Sequence, residues 1–128
     1  MRLSVLDQSV SLAGRSQGDS IRETIELAQY CEKLGYHRFW VSEHHNHETI
    51  TGTAPEIVMA AIGATTDRIR IGSAGVMLPH YSALKVAEQF RVLDAIAPGR
   101  IDLGLGPRTG VGRPDSLCTQ PPGNAGCG

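Results

Sequence analysis

Apolar and polar positions along the chain alternate between two periods. Leu3-Ser4-Val5-Leu6 is short and apolar enough for a buried strand. Ser20 and Glu23 then form a capping-box pattern, and behind it Ile21, Ile25, Ala28, Cys31 and Leu34 fall at helical spacing until Gly35 offers a stop. Phe39-Trp40-Val41 reads as a second strand. Thr53 and Glu56 make another capping box around Pro55, a residue suited to a first helical turn, and Ile57 through Ala64 continue that helix. Ile69 through Met77 is a third strand, interrupted by Gly72 and Gly75. Ser82 caps a third helix with Val86, Phe90, Leu93 and Ala97 on one face, and Pro98-Gly99 turns the chain into a fourth strand, Ile101 to Leu105.

Strands separated by helices of this length require right-handed crossovers, and these build a parallel sheet. Two α/β architectures satisfy the pattern: an open doubly wound sheet, or one arc of a (β/α)8 barrel, which typically needs roughly 250 residues. Periodicity does not choose between them.

Composition changes the picture at one point. Residues 107–128 hold four prolines and five glycines, with Val111 and Leu117 as their only branched aliphatics. Such a segment buries too little apolar surface to offset its ordering entropy, so it reads as a disordered tail behind a folded domain of residues 1–106. The formal net charge of -1 argues against nucleic acid or an anionic membrane as partner. No apolar run nears the roughly 20 residues that span a bilayer, so neither signal peptide nor anchor is expected. Three cysteines, unevenly placed, make no disulfide framework, which points to a reducing cytoplasm.

Function in both architectures collects where strands end. The second strand runs into Ser42-Glu43-His44-His45-Asn46-His47-Glu48, a density of imidazoles and carboxylates that loop folding does not demand. Histidine suits proton transfer near neutral pH, so an acid/base histidine is one reading. A metal-dependent hydrolase using His45 and His47, two apart on extended backbone, is another. A solvated polar loop is the third. At the end of the third strand, Gly72-Ser73-Ala74-Gly75 brings small residues together, either to admit a flat ring or merely to pack tightly. Gly104-Leu105-Gly106 with Gly110 is no dinucleotide loop, because prolines and not a helix follow it. Arg22, Glu23, Glu26, Glu32, Lys33 and Lys85 read as solvated helix faces, and Trp40 as core.

Taken in order, five segments resemble the luciferase-like, flavin-dependent monooxygenases of the (β/α)8 barrel class. They are Leu3 to Ser9, Gly35 to Asn46, Arg70 to Ser82, Lys85 to Gln89 and Pro98 to Gly106. The resemblance favours the barrel and makes residues 1–106 its N-terminal half. It implies His44 as the catalytic histidine, His45 as a second active-site group, and Ser73, Ala74, Gly75 and Asn46 as cofactor-binding residues. The Ser73–Ala74 linkage matches a position where relatives often carry a non-prolyl cis peptide beside the flavin ring. No metal is implied. Reduced FMN would come from a separate reductase and work with O2 on a small organic substrate, with the deazaflavin F420 used in some relatives. The full-length bacterial enzyme is expected to be a cytoplasmic homo-oligomer. Gly106 stands where bacterial luciferase has a reactive cysteine, so light emission is not implied.

After Gly106 the resemblance breaks. Relatives continue Arg-Ala-Pro-Gly-Ser/Thr-Asp, whereas this chain reads Pro107-Arg108-Thr109-Gly110-Val111-Gly112-Arg113-Pro114. Permissible codons for it are CCG CGC ACC GGG GTC GGA CGA CC. Without the first C they read CGC GCA CCG GGG TCG GAC GAC, or Arg-Ala-Pro-Gly-Ser-Asp-Asp. The tail is therefore expected to be an out-of-frame reading caused by one extra nucleotide, and the chain a truncated, inactive fragment. A non-catalytic half-barrel that self-associates through its open edges is the remaining alternative.

Overall fold

A computed structural model describes residues 1–107 of the chain. The expected tail lies outside the described residues, apart from Pro107. The elements follow the predicted order: β1 (Ser4–Asp7), α1 (Gln17–Lys33), β2 (Arg38–Val41), α2 (Pro55–Thr65), β3 (Arg70–Ser73), β4 (Val76–Met77), a 3₁₀ turn (Leu78–His80), α3 (Ala83–Ile96), β5 (Ile101–Asp102) and β6 (Leu105–Gly106).

Four strands pair in parallel in the order β1-β2-β3-β5, and a short second sheet pairs β4 with β6. The order advances in one direction without the reversal that marks a doubly wound sheet, so the fold is an arc of a (β/α)8 barrel. The single strand expected over 69–77 is two. β3 pairs with β2 and β5, whereas Val76 and Met77 pair with Leu105 and Gly106. The expected fourth strand divides in the same way.

The core lies between the strands and the helices. Phe39, Val41 and Ile71 on the strands meet Ala28 and Cys31 of α1, Met59 and Ile62 of α2, and Val86 and Phe90 of α3. In register across the other face stand Leu6, Trp40, Gly72 and Asp102, with Arg38 and Arg70 two residues earlier on their strands. Trp40 is thus half-buried on this second face and lies outside the helix-side core. Its ring lies where a Cβ at Gly72 would sit, 2.3 Å from the nearest ring carbon, and the Arg38 guanidinium stacks 5.1 Å from the ring centroid. Asp102 accepts from Arg38 Nε at 2.7 Å and from Arg70 Nη2 at 2.6 Å. Burial alone would raise the Asp102 carboxyl, but the bonds from Arg70 and then Arg38 outweigh it and hold it below the usual carboxylate range.

The helix starts differ from the sequence reading. α1 begins one turn earlier, with Ser16 as its N-cap and Asp19 closing the capping box, so Ser20 is a buried helix residue and Glu23 pairs with Arg15. α2 has Pro55 in its first turn as expected, but Ala54 is the N-cap and no Thr53–Glu56 box forms. Ser82 occupies the N-cap of α3 without a side-chain bond. Glu32 is no solvated residue. Its Oε1 accepts from the backbone N–H groups of Asp67, Arg68 and Ile69, tying α1 to the turn before β3.

Candidate functional site

The site begins where β1, β2 and β3 end, the end of a barrel at which catalytic loops gather. Parallel pairing carries the strands one step further there: Ser42 N–H donates to Asp7 O, and Ala74 N–H donates to Val41 O. Beyond that rung, β2 becomes the loop Glu43-His44-His45-Asn46-His47. Asn46 adopts φ 51°, a left-handed conformation that Asn tolerates better than most residues. The turn it makes sends His47 back over its own loop, where His47 Nδ1 accepts from the N–H groups of Thr49 and Ile50, both at 3.2 Å.

Glu43 is the most buried member of the loop, at 1% exposure. Its Oε1 accepts from His45 Nε2 at 2.6 Å and from the Tyr81 hydroxyl at 2.5 Å, and its Oε2 from Met77 N–H at 2.9 Å. Partial burial, and after it the bond to Glu43, pushes the Tyr81 phenol well above its ordinary value. The His80 ring stands edge-on to His45 with centroids 5.2 Å apart. His44 is held differently. Its backbone N–H donates to Gly52 O, its ring lies 6.3 Å from that of His47, and its buried Nδ1 has no partner among the described residues. The Ser42 hydroxyl is likewise buried and unpartnered there.

The expected cofactor residues divide. Ser73 is fully buried, and its hydroxyl both donates to Gly104 O at 2.9 Å and accepts from Gly104 N–H at 3.0 Å. It fastens β3 to the strand after α3, so its side chain has little left for a ligand. The non-prolyl cis peptide lies one residue later than expected, between Ala74 and Gly75 and not between Ser73 and Ala74. Ala74 is exposed at the rim. A Cβ at Gly75 would come within 2.8 Å of the Leu105 backbone, so glycine there serves strand-to-strand approach. An apolar cleft of about 510 Å³ lined by Leu78, Pro79, Leu105, Gly106 and Pro107 adjoins the β4–β6 pair.

The alternative metal pair is not assembled. His45 Nε2 is engaged by Glu43 and His47 Nδ1 by its own loop, and no metal-holding group of three or more His, Cys, Asp or Glu occurs among the described residues. Sequence reading singled out His44, His45, His47 and Asn46 but gave Glu43 and Tyr81 no role. A carboxylate directly before the histidine pair, in a segment leaving a buried strand, was the available signal for Glu43. Nothing local marked Tyr81.

Two polar atoms near the strand ends, Ser42 Oγ and His44 Nδ1, are buried without a partner among the described residues, and Ala74 is exposed at the rim; these are features that a polar flat ring would use. No helix among the described residues is long and apolar enough to cross a membrane.

Known proteins match this chain. A family model described as luciferase-like monooxygenase matches residues 1–115. An N-acetyl-S-alkylcysteine monooxygenase of Bacillus subtilis (strain 168) is 54% identical over 110 residues, which cover 86% of this chain and 33% of the relative. The crystal structure of apo-MsnO8 shares 50% identity and superposes with a TM-score of 0.79 over 81% of this chain and 31% of that one. The oxygenating constituent of 3,6-diketocamphane monooxygenase from Pseudomonas putida, a type II Baeyer–Villiger monooxygenase in complex with FMN, shares 26% identity at a TM-score of 0.76, covering 83% of this chain and 29% of that one. The chain thus spans about a third of the length of the relatives it matches.

Proposed function

The chain belongs to the luciferase-like monooxygenase family, and from that membership we propose that it is the N-terminal part of a flavin-dependent oxidoreductase that oxygenates a small organic substrate with reduced FMN and O2. The observation that carries this reading is the unpartnered, buried His44 Nδ1 at the strand ends, beside a His45 already bound through Nε2 to a buried carboxylate. Buried polar atoms are satisfied in almost all native structures, so an orphan at a barrel mouth fits a ligand contact. When bound, reduced FMN supplies the electrons that O2 chemistry needs. The chain's own residues supply the rest. His44 Nδ1 accepts or returns a proton at the reacting end, His45 is a second polar group on the same wall, and Ala74, Gly75 and Asn46 border the ring. The phosphate of a barrel-bound cofactor is frequently held after the seventh and eighth strands, beyond the residues described.

Likeness to the Bacillus subtilis relative makes an N-acetylated S-alkylcysteine the first substrate to try. A separate flavin reductase, a cytoplasmic location and a homo-oligomeric full-length enzyme complete the reading. Residues 107–128 are read as an out-of-frame extension, and the 128-residue chain by itself as inactive. Removing one base at or just before codon 107 should open roughly 200 more codons, enough to complete a barrel. The protein read in that frame should consume O2 in the presence of reduced FMN and oxygenate the thioether. An immediate stop in that frame overturns the fragment reading. Activity with F420 in place of FMN would reassign the cofactor.

A further inference from the structure

Burying a carboxylate is costly unless donors surround it. Glu43 meets this condition with donors from two separate segments: His45 of its own loop, and Met77 and Tyr81 of the β4–3₁₀ segment. The backbone N–H of Met77 can only donate. The Tyr81 phenol stays protonated across the neutral range because its titration is pushed upward. Facing a carboxylate at 2.6 Å, His45 Nε2 must also carry its proton, since two acceptors would otherwise meet. When the ring is neutral, one accepting nitrogen is left, Nδ1. The edge-on His80 ring restrains its plane from another side.

We infer that Glu43 is a positioning residue, supported by Tyr81, which locks His45 into its Nε2–H form and leaves Nδ1 as the imidazole's only proton acceptor. Buried groups that fix the tautomer and orientation of an active-site histidine act through that histidine and need not touch the reacting atoms. The participation of His45 in oxidative chemistry rests on the flavin reading above; the lock itself does not.

The test is NMR of the 128-residue chain labelled with ¹⁵N-histidine, at a pH above the ordinary imidazole range of about 6.5. A protected, downfield Nε2–H resonance of His45 is expected, with a nuclear Overhauser contact to the Tyr81 ring protons. Tyr81→Phe should keep the resonance, because the carboxylate stays. Glu43→Gln should shift it upfield or lose it to exchange. Absence of the protected proton in the unsubstituted chain overturns the inference whether or not Glu43→Gln folds. So does an unchanged resonance in Glu43→Gln. The measurement involves no flavin or oxygen, so failure of the monooxygenase reading would leave its outcome untouched.

Discussion

Single residues at the mouth are placed by contacts with little spare room. A Cβ at Gly104 would lie 2.1 Å from the carbonyl oxygen of Ser73, so Gly104→Ala forces β3 and the β5–β6 segment apart. It should destabilise the chain by about 1–3 kcal/mol, the usual cost of overpacking, read as a lower urea midpoint with an unchanged slope. Under the function proposed above, chemistry at this scale centres on His44. In the protein read in the restored frame, His44→Ala should lower turnover about 10²–10⁴-fold, the range of acid–base groups, with much less change in flavin affinity. Unchanged turnover would return the loop to a solvated polar segment. The histidines were legible in the sequence because three of them crowd one loop directly after a strand. The role of Glu43 was not, because two of its donors, on Met77 and Tyr81, lie 34 and 38 residues away and only the fold brings them in. The bond that engages Ser73 was hidden for the same reason: its hydroxyl is taken by Gly104, 31 residues on.

Among elements, the alternation of strand and helix could be read directly, because each buries one apolar face at its own period. Phe39, Val41 and Ile71 do face the helices. The caps could not be read so directly. Ser16 with Asp19 and Ser20 with Glu23 both satisfy the pattern, and only the folded chain shows the box forming at the earlier pair, where the Ser16 hydroxyl accepts from Asp19 N–H. Nor could the break after Ser73, since it arises from Val76 pairing with Leu105. The strands are also joined across their second face by Asp102 with Arg38 and Arg70. Because folding lowers the Asp102 pKa, the stability it contributes is present above the ordinary carboxyl value of 3.8 and is lost as pH falls below that. Asp102→Asn should therefore cost about 1–3 kcal/mol at neutral pH. The difference in urea midpoint from the unsubstituted chain should shrink as pH falls below 3.8 and Asp102 takes up its proton. A gap that stays constant with pH would mean that the ion pairs contribute nothing.

At the scale of the whole fold, the arc leaves one face of the sheet without a wall opposite among the described residues. Leu6 is 56% exposed there, and Trp40 is only half covered. In a closed barrel such positions fill layers of interior side chains. Under the function proposed above, the histidine loop, the rim at Ala74 and the unpartnered His44 atom would make one wall of a flavin site, and later strands would supply the phosphate-holding end. The central claim is that this wall is necessary and not sufficient. It is tested most directly by titrating FMN into the purified 128-residue chain beside the protein read in the restored frame. The account predicts saturable, micromolar binding by the longer protein and none by the shorter. Saturable micromolar binding by a monomeric 128-residue chain with a cooperative melt would contradict it.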